Sequence, residues 1–397
     1  MEFSNLDVDI LQISKEAKKA KSNDPKVINA TLGVLLDESG ELFRFGAVDE
    51  ALGDIDIMVA RNYLPQDGGV LYKNSLYQYL FKTKLDEFIN HFHIGSTWTS
   101  GGSGALYIAF KYFKGSHIFV PSIRWNEYDQ IAAVAGKTIG SYNLLKNGAF
   151  DIENLKNNII ESNEETVMIV VNDPCHNPTG YSMSLSEHET FAQLVNEMSL
   201  NKQISVLFDV AYMDYTEYPY FEQLLPVLKM YQPEVDLYIA FSGSKSFGVY
   251  GFRMGALLYM NTSENKVDVF EKTVKSFASA IYGAPNSMSV LLLNEVIHKS
   301  ILDEDQKEAR LLINTRANKF MGLCHDEKIN FYTYINGFFI TVKSKNPLKL
   351  TETLKQMGVY VIPTNEGIRI ALSSISLGEI ERLVSTLKKA VDIIEIY

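Results

Sequence analysis
The sequence predicts an α/β fold, with a large domain on a mostly parallel sheet flanked by helices and a smaller α+β domain made from both chain termini. Three observations carry that expectation. The 397 residues leave room for two or three domains at about 150 residues each. Between residues 95 and 260, short β-branched apolar runs alternate with longer mixed segments, the rhythm of buried strands and crossover helices. Beyond residue 300 the rhythm changes to a short mixed pattern of helix and strand.

Residues 1–25 place acids early and bases late with no sustained apolar core, so no export signal is expected. The basic run 15–21 (KEAKKAK) reads as a solvated helix face. Residues 1–50 hold one helix and one short extended piece, too little to fold alone, and are expected to join the C-terminal unit. Strands of the large domain are expected at 117–120 (HIFV), 166–171 (TVMIVV), 204–208 (ISVLF) and 237–241 (LYIAF). Each is a continuous apolar run bounded by polar or turn residues, as strands buried on both faces require. Residues 185–200 have the length and pattern of a crossover helix. In the C-terminal unit, helices are expected at 303–324, 348–357 and 377–393, and strands at 335–342, 360–362 and 368–371. Asn346-Pro347 reads as a turn. The resulting division is 1–50 with 301–397 for the small domain and 51–300 for the large one.

Composition narrows the function. Hydrophobic residues make up 46% and charged residues 21%, the balance of a folded globule. A formal net charge of −11 disfavours nucleic acid and anionic membrane surfaces as partners. No stretch reaches the ~18 apolar residues that span a bilayer. Two cysteines, Cys175 and Cys324, are too few for a disulfide scaffold. A soluble cytoplasmic enzyme acting on small molecules is the expectation.

Three central strands run into unusual polar residues: Asn172 to Gly180 (NDPCHNPTG), Asp209 to Tyr212 (DVAY), and Ser242 to Gly248 (SGSKSFG). Asn177, Asp209 and Lys245 are 32 and 36 residues apart, about one strand–helix–strand unit each. Ligands of open α/β sheets bind beyond the carboxyl ends of the strands, so these three residues should converge. An acid, an amide and a lysine in one pocket suit pyridoxal phosphate, whose aldehyde needs a lysine and whose ring nitrogen needs a carboxylate. Gly101-Gly102-Ser103-Gly104 opens an expected helix, where backbone N–H groups and the helix dipole face an anion. Arg253, eight residues beyond Lys245, adds a bidentate phosphate contact.

With those residues on the page, the chain resembles the class I aminotransferases of pyridoxal phosphate fold type I, in their aspartate/aromatic branch. TSGGSGAL, CHNPTG, DVAY, SGSKSFGVYGFRMGA, NGFF and GIRIA follow in the family's order from about Leu32 to the C-terminus. The resemblance implies a two-domain fold with a seven-stranded-type sheet, pyridoxal phosphate as cofactor, and a homodimer with shared active sites. It also implies ping-pong transfer of an amino group from an L-amino acid to a 2-oxo acid. Residue by residue, Lys245 matches the lysine that forms the Schiff base and shuttles the proton. Asp209 matches the carboxylate on the ring nitrogen, and Tyr212 and Asn177 match donors to the ring oxygen. Gly102, Ser103, Ser242 and Arg253 match the phosphate site, and Trp125 the aromatic ring stacked on the cofactor. Tyr63 matches a tyrosine that reaches the neighbouring subunit's phosphate. Arg369 matches the arginine on the substrate α-carboxylate, with Asn177 beside it, and Gly33 the substrate-side glycine.

Departures from the family bear on substrate choice. Where dicarboxylate-specific relatives carry a second arginine, three residues before the tyrosine matched by Tyr282, this chain has Ser279. A side-chain carboxylate would lack its usual partner there, so a neutral or aromatic donor is expected, with Arg124 as the one candidate substitute. The loop after Gly33 is shorter than in close relatives. His91 and His93 are spaced to share one side of a strand, but no metal site is expected without nearby Cys or acid clusters. Cys175-His176 is expected to support the pocket and not to act as a nucleophile–base pair. Phe338 and Phe339 are expected to brace the strand beneath the substrate. β-Lyases and amino-acid decarboxylases of the same fold share the lysine, carboxylate and phosphate residues and stand as the alternative. A transcription regulator with an aminotransferase-like domain is disfavoured, because residues 1–31 are too short for a helix-turn-helix domain.

Overall fold
The structure, a computed structural model, describes residues 10–395. The first nine residues of the segment read for an export signal, and residues 396–397, lie outside them. At the centre is a seven-stranded sheet in the order His93–Ser100, Met254–Asn261, Asp236–Ser242, Gln203–Asp209, Thr166–Asn172, His117–Pro121, Thr138–Tyr142. Met254–Asn261 pairs antiparallel with both neighbours, and the remaining pairings are parallel.

Continuous apolar runs become strands here because both faces are covered. Val167, Ile169, Val171, Ile204, Val206 and Phe208 pack into one hydrophobic cluster. Met168, Val170, Leu207, Ile118 and Val120, on the alternate positions, pack into another. That is the period of two of a pleated strand, realised on both sides of the sheet. The crossover helix Leu185–Ser199 begins at a capping box, in which Ser184 Oγ accepts from the Glu187 N–H and the Glu187 carboxylate accepts from the Ser184 N–H.

The strand ends are level. Asn172 lies opposite Asp209, and Asp209 opposite Ala240, so the loops that follow all open on one edge of the sheet. The helix Gly101–Tyr112 starts at that edge. It presses on Met254–Asn261 so closely that a Cβ on Gly255 would lie 2.4 Å from the Gly101 carbonyl carbon. Only glycine at 255 permits this approach.

The smaller α+β unit draws on both ends of the chain. Ile28 and Ala30 share one core with Ala317, Phe320, Ile340, Ile368 and Leu383, and Ile28–Asn29 pairs in parallel with Val359–Tyr360. Its last helix, Ile380–Glu395, buries Ile380, Leu383, Val384, Leu387 and Ala390, the three-and-four spacing of an amphipathic helix. Leu35, Phe45, Val48 and Ala51 pack into the larger core instead.

Several elements differ from expectation for identifiable reasons. The strand placed at 335–342 is Phe339–Lys343, because the Ile335 and Asn336 N–H groups both bond to the Gly180 carbonyl and not to a sheet. The strand at 360–362 is two pieces: Val359–Tyr360 pairs with the N-terminal segment, and Ile362–Thr364 with Gly367–Ala371. The N-terminal 50 residues also start a second helix, Gly46–Asp54. His91 closes the helix Leu85–His91 while His93 opens a strand, so the two do not share a strand face. No helix among the described residues is long and apolar enough to cross a membrane.

Candidate active site
Beyond the level strand ends lies a cavity of about 360 Å³ lined by Gly33, Gly102, Ser103, Trp125, Asn177, Asp209, Tyr212, Ser242, Lys245, Arg253 and Arg369. Of the cofactor and substrate residues matched from the resemblance, Tyr63 alone lies elsewhere. It is 93% exposed and borders a separate surface hollow with Tyr282, Gly283, Ala284 and Pro285.

Asp209 is the last residue of its strand and is buried. Desolvation raises its carboxyl to about 6, while hydrogen bonds from the Tyr128 hydroxyl and the Ala211 N–H act in the opposite direction. Asn172 ties the neighbouring loops to this point, since its Nδ2 donates to the Asp209 carbonyl (3.0 Å) and its Oδ1 accepts from the Asn177 N–H (2.8 Å).

Lys245 sits in the four-residue helix Gly243–Ser246, at the end of the strand Asp236–Ser242. Its ammonium donates to the Gly33 carbonyl and lies 4.6 Å from the centroid of the Tyr250 ring. Burial lowers its pKa to about 7, with Arg369 and Arg253 adding repulsion. A large fraction of neutral amine is therefore present at neutral pH.

Arg369 comes from the smaller unit. On Gly367–Ala371, Ile368 and Ile370 face the smaller core, so alternation turns Arg369 to the other side, towards the cavity. Its Nη1 donates to Asn177 Oδ1 (3.3 Å), its Nη2 to the Thr31 carbonyl (2.9 Å), and its guanidinium lies 4.4 Å from the Phe339 ring centroid. Nε is buried without a partner, and Arg369 takes part in no salt bridge with any described residue. A buried cation costs several kcal/mol unless it is paired, and Glu127 reaches this guanidinium only through its charge, without a salt bridge, so the free Nε leaves it able to accept a carboxylate.

At the opposite end of the cavity, the first turn of Gly101–Tyr112 meets Ser242, Ser244 and Arg253. Ser244 Oγ is buried without a hydrogen-bond partner. Arg253 is exposed at the rim, and its guanidinium donates to the Tyr250 carbonyl (3.1 Å). It has φ +55°, in the left-handed region, a strain that clusters at functional sites. Gly101, at φ +67°, leaves room for it: a Cβ there would lie 2.5 Å from Arg253 Nη2. A helix N-terminus, two serine hydroxyls and a guanidinium form an anion cradle.

Other sequence candidates resolve plainly. Arg124 is not a substitute for the missing second arginine. Its Nε and Nη2 fork onto Asp129 (2.8 and 2.7 Å) and it is absent from the cavity lining. Burial lowers His176 to about 3 and raises the Cys175 thiol; His176 Nδ1 contacts Thr179 Oγ1, and Cys175 Sγ donates to Asn336. The two form no nucleophile–base pair. No group of three metal-ligating side chains occurs among the described residues. Thr31, Glu127 and Tyr128, outside the quoted motifs, also line the cavity, as do Asn172 and Tyr250 from within two of them. Tyr128 follows Trp125 by three residues, its N–H donates to the Trp125 carbonyl (3.2 Å), and its ring lies 5.6 Å from that of Trp125.

Comparison with known proteins decides the family, since residues 25–387 match the model for "Aminotransferase class I and II". The chain belongs to that family. The mitochondrial aspartate aminotransferase of Saccharomyces cerevisiae is 25% identical over 426 residues, covering 96% of this chain and 91% of the relative. A tyrosine aminotransferase of Rhizobium meliloti is 26% identical over 305 residues, covering 72% and 73%. In fold, the chain is similar to an aminotransferase from Anaerococcus prevotii, with TM-score 0.90, 23% identity and 99% of each chain covered. The protein is an aminotransferase, and its cofactor is pyridoxal phosphate.

The residues present fit that cofactor. The orphaned Ser244 Oγ and the N-terminus of Gly101–Tyr112 offer donors to a phosphate, and Asp209 offers a carboxylate to a ring nitrogen. When bound, pyridoxal phosphate supplies an aldehyde that holds the substrate nitrogen and a ring that takes up electrons from a broken bond at Cα. In this aminotransferase, the side chains supply the binding charges and a neutral amine at Lys245 Nζ.

Proposed function
We propose that this aminotransferase moves the amino group of a neutral or aromatic L-amino acid to a 2-oxo acid in two half-reactions through one site. Arg369 carries the reading, as a buried guanidinium with a free Nε in the same cavity as a lysine near pKa 7. It forks onto the α-carboxylate with Asn177 beside it, while Lys245 Nζ takes and returns the Cα proton. Asp209 and Tyr212 fix the protonation of the cofactor ring, Trp125 stacks on it, and Gly102, Ser103, Ser242 and Arg253 hold its phosphate. Gly33 supplies a carbonyl that orients Lys245.

The donor class rests on what replaces the second arginine. Ser279 Oγ accepts from Gln66 Nε2 (2.9 Å), and Arg124 is occupied by Asp129. With this reading goes the division of the chain into 51–300 and 1–50 with 301–397, Arg369 closing on the cavity from the second part. A cytoplasmic homodimer is part of the same reading, with Tyr63 and the loop at 279–285 facing the neighbouring subunit's site.

The test is a product assay. Holoenzyme mixed with single amino acids should yield 2-oxo acids and an aminated cofactor that a second 2-oxo acid restores. Ammonia with pyruvate, or carbon dioxide, would point to the lyase or decarboxylase alternative. Aspartate clearly outpacing phenylalanine, leucine and methionine would overturn the donor class.

A further inference from the structure
Glu127 opens the helix Glu127–Ala135, two residues after Trp125, and lines the same cavity as Arg369 and Lys245. Its Oε2 is buried without a hydrogen-bond partner and it forms no salt bridge among the described residues, while its own backbone N–H and the charge of Arg369 act on the carboxylate. The same cavity is also lined by Ile10 and Ser14 from the helix Ile10–Asn23, with Leu32 and Val34 after the first strand. Of these only Ser14 is polar, and its hydroxyl already donates to Thr31 Oγ1 (3.0 Å). The second arginine of dicarboxylate enzymes is replaced by Ser279, and Arg124 is bound to Asp129. Apart from Ser244 and Arg253 beside the start of Gly101–Tyr112, the cavity thus offers, among the described residues, the Arg369 fork for an α-carboxylate and the unpartnered acceptor Glu127 Oε2.

We propose that Glu127 is a specificity-determining residue that selects donors whose side chain presents an N–H or O–H group to its free oxygen, and that it excludes side-chain carboxylates. This deepens the neutral or aromatic assignment above and rests on it. A phenol, indole, imidazole or amide satisfies Oε2, whereas a purely apolar side chain leaves a buried acceptor unpaired. A second carboxylate meets like charge with no compensating arginine. The same selection acts on the 2-oxo acid, because both half-reactions use one site. Burial raises the Glu127 carboxyl and Arg369 acts in the opposite direction.

Pairs of nearly equal shape isolate the effect: tyrosine against phenylalanine, and glutamine against methionine. Holoenzyme should favour the donor-bearing member of at least one pair by about tenfold or more in kcat/KM. Binding of the unreactive acids 3-(4-hydroxyphenyl)propionate and 3-phenylpropionate, followed by calorimetry, should show whether the phenol pair owes its ratio to binding. Glu127→Leu should bring the preferred pair's ratio to within about twofold, and both Glu127→Leu and Glu127→Gln should raise turnover of aspartate and glutamate. Cofactor affinity should be unchanged in both variants. Ratios within about twofold in the unsubstituted enzyme would overturn the role of Glu127 and leave the donor class standing. So would an equal loss for all substrates in Glu127→Leu, which would mark Glu127 as a general counter-charge to Arg369. Aspartate as the best donor of the unsubstituted enzyme would overturn the donor class and this role together.

Discussion

Burial moves Lys245 and Asp209 in opposite directions, the amine down to about 7 and the carboxyl up to about 6. Both shifts favour the neutral form, and their order fixes a pH window. Above about pH 7 the lysine is mainly neutral and the aspartate charged, the pair of states that a cofactor aldehyde and a protonated ring nitrogen require. Capture of pyridoxal phosphate by the apoenzyme should therefore level off above about pH 7 and fall with decreasing pH below it, more steeply below about 6 as Asp209 also protonates. Tyr128→Phe removes the side-chain hydrogen bond that holds Asp209 down, so the lower edge should move upward by up to about one pH unit. An unmoved edge in stopped-flow capture would disprove that coupling. Arg369→Lys keeps the charge but loses the fork, and should lower kcat/KM by about 100-fold, chiefly through KM, at unchanged cofactor affinity. Lys245, Asp209 and Asn177 could be found in the sequence because each sits at a strand end, where spacing and residue type speak together. The free oxygen of Glu127 and the bridge that Asn172 makes to Asp209 and Asn177 could not, because each is decided by contacts across the fold.

The elements were legible in proportion to how far local pattern decides them. The runs at 166–171 and 204–208 became strands because a fully apolar run bounded by polar residues has one stable use in a covered sheet. The run at 335–342 differs in carrying Asn336-Gly337, a turn dipeptide, and its first residues bond to a distant carbonyl, Gly180, a partner the local sequence does not announce. The seam between Gly101–Tyr112 and Met254–Asn261 is of this second kind. Its geometry depends on Gly255, an ordinary-looking strand residue whose missing side chain admits the helix start. Gly255→Ala should displace that start and the phosphate cradle with it. The expected result is a pyridoxal phosphate dissociation constant raised about tenfold and a loss of about 1–3 kcal/mol in stability. Equilibrium titration with denaturant melts would check both, and unchanged affinity would show that the cradle does not depend on this contact.

At the scale of the whole molecule, a chain of net charge −11 holds a cavity that gathers Lys245, Arg253 and Arg369, so the site runs opposite to the net charge. The surface has a second irregularity. Ile57, Met58, Val59, Tyr63, Val70 and Leu71 are exposed in one stretch of chain, with Val70 at 73%. That stretch adjoins the loop after Ile281: Gln66 bonds to Ser279, and the Ser287 hydroxyl donates to the Asn62 carbonyl. An exposed apolar stretch of this kind is a candidate interaction surface, and Tyr63 within it is the one predicted cofactor or substrate residue that its own chain leaves outside the cavity. The proposed homodimer would account for both facts, by covering this surface and bringing Tyr63 of the partner subunit to the proposed phosphate site. Met58→Asp combined with Val70→Asp should halve the mass seen by sedimentation and weaken cofactor binding. Tyr63→Phe should leave the mass unchanged and raise the cofactor dissociation constant about tenfold, the cost of one hydrogen bond to a charged group. A wild-type monomer at micromolar concentration that binds cofactor fully would refute the shared site, because every phosphate contact would then have to come from a single chain.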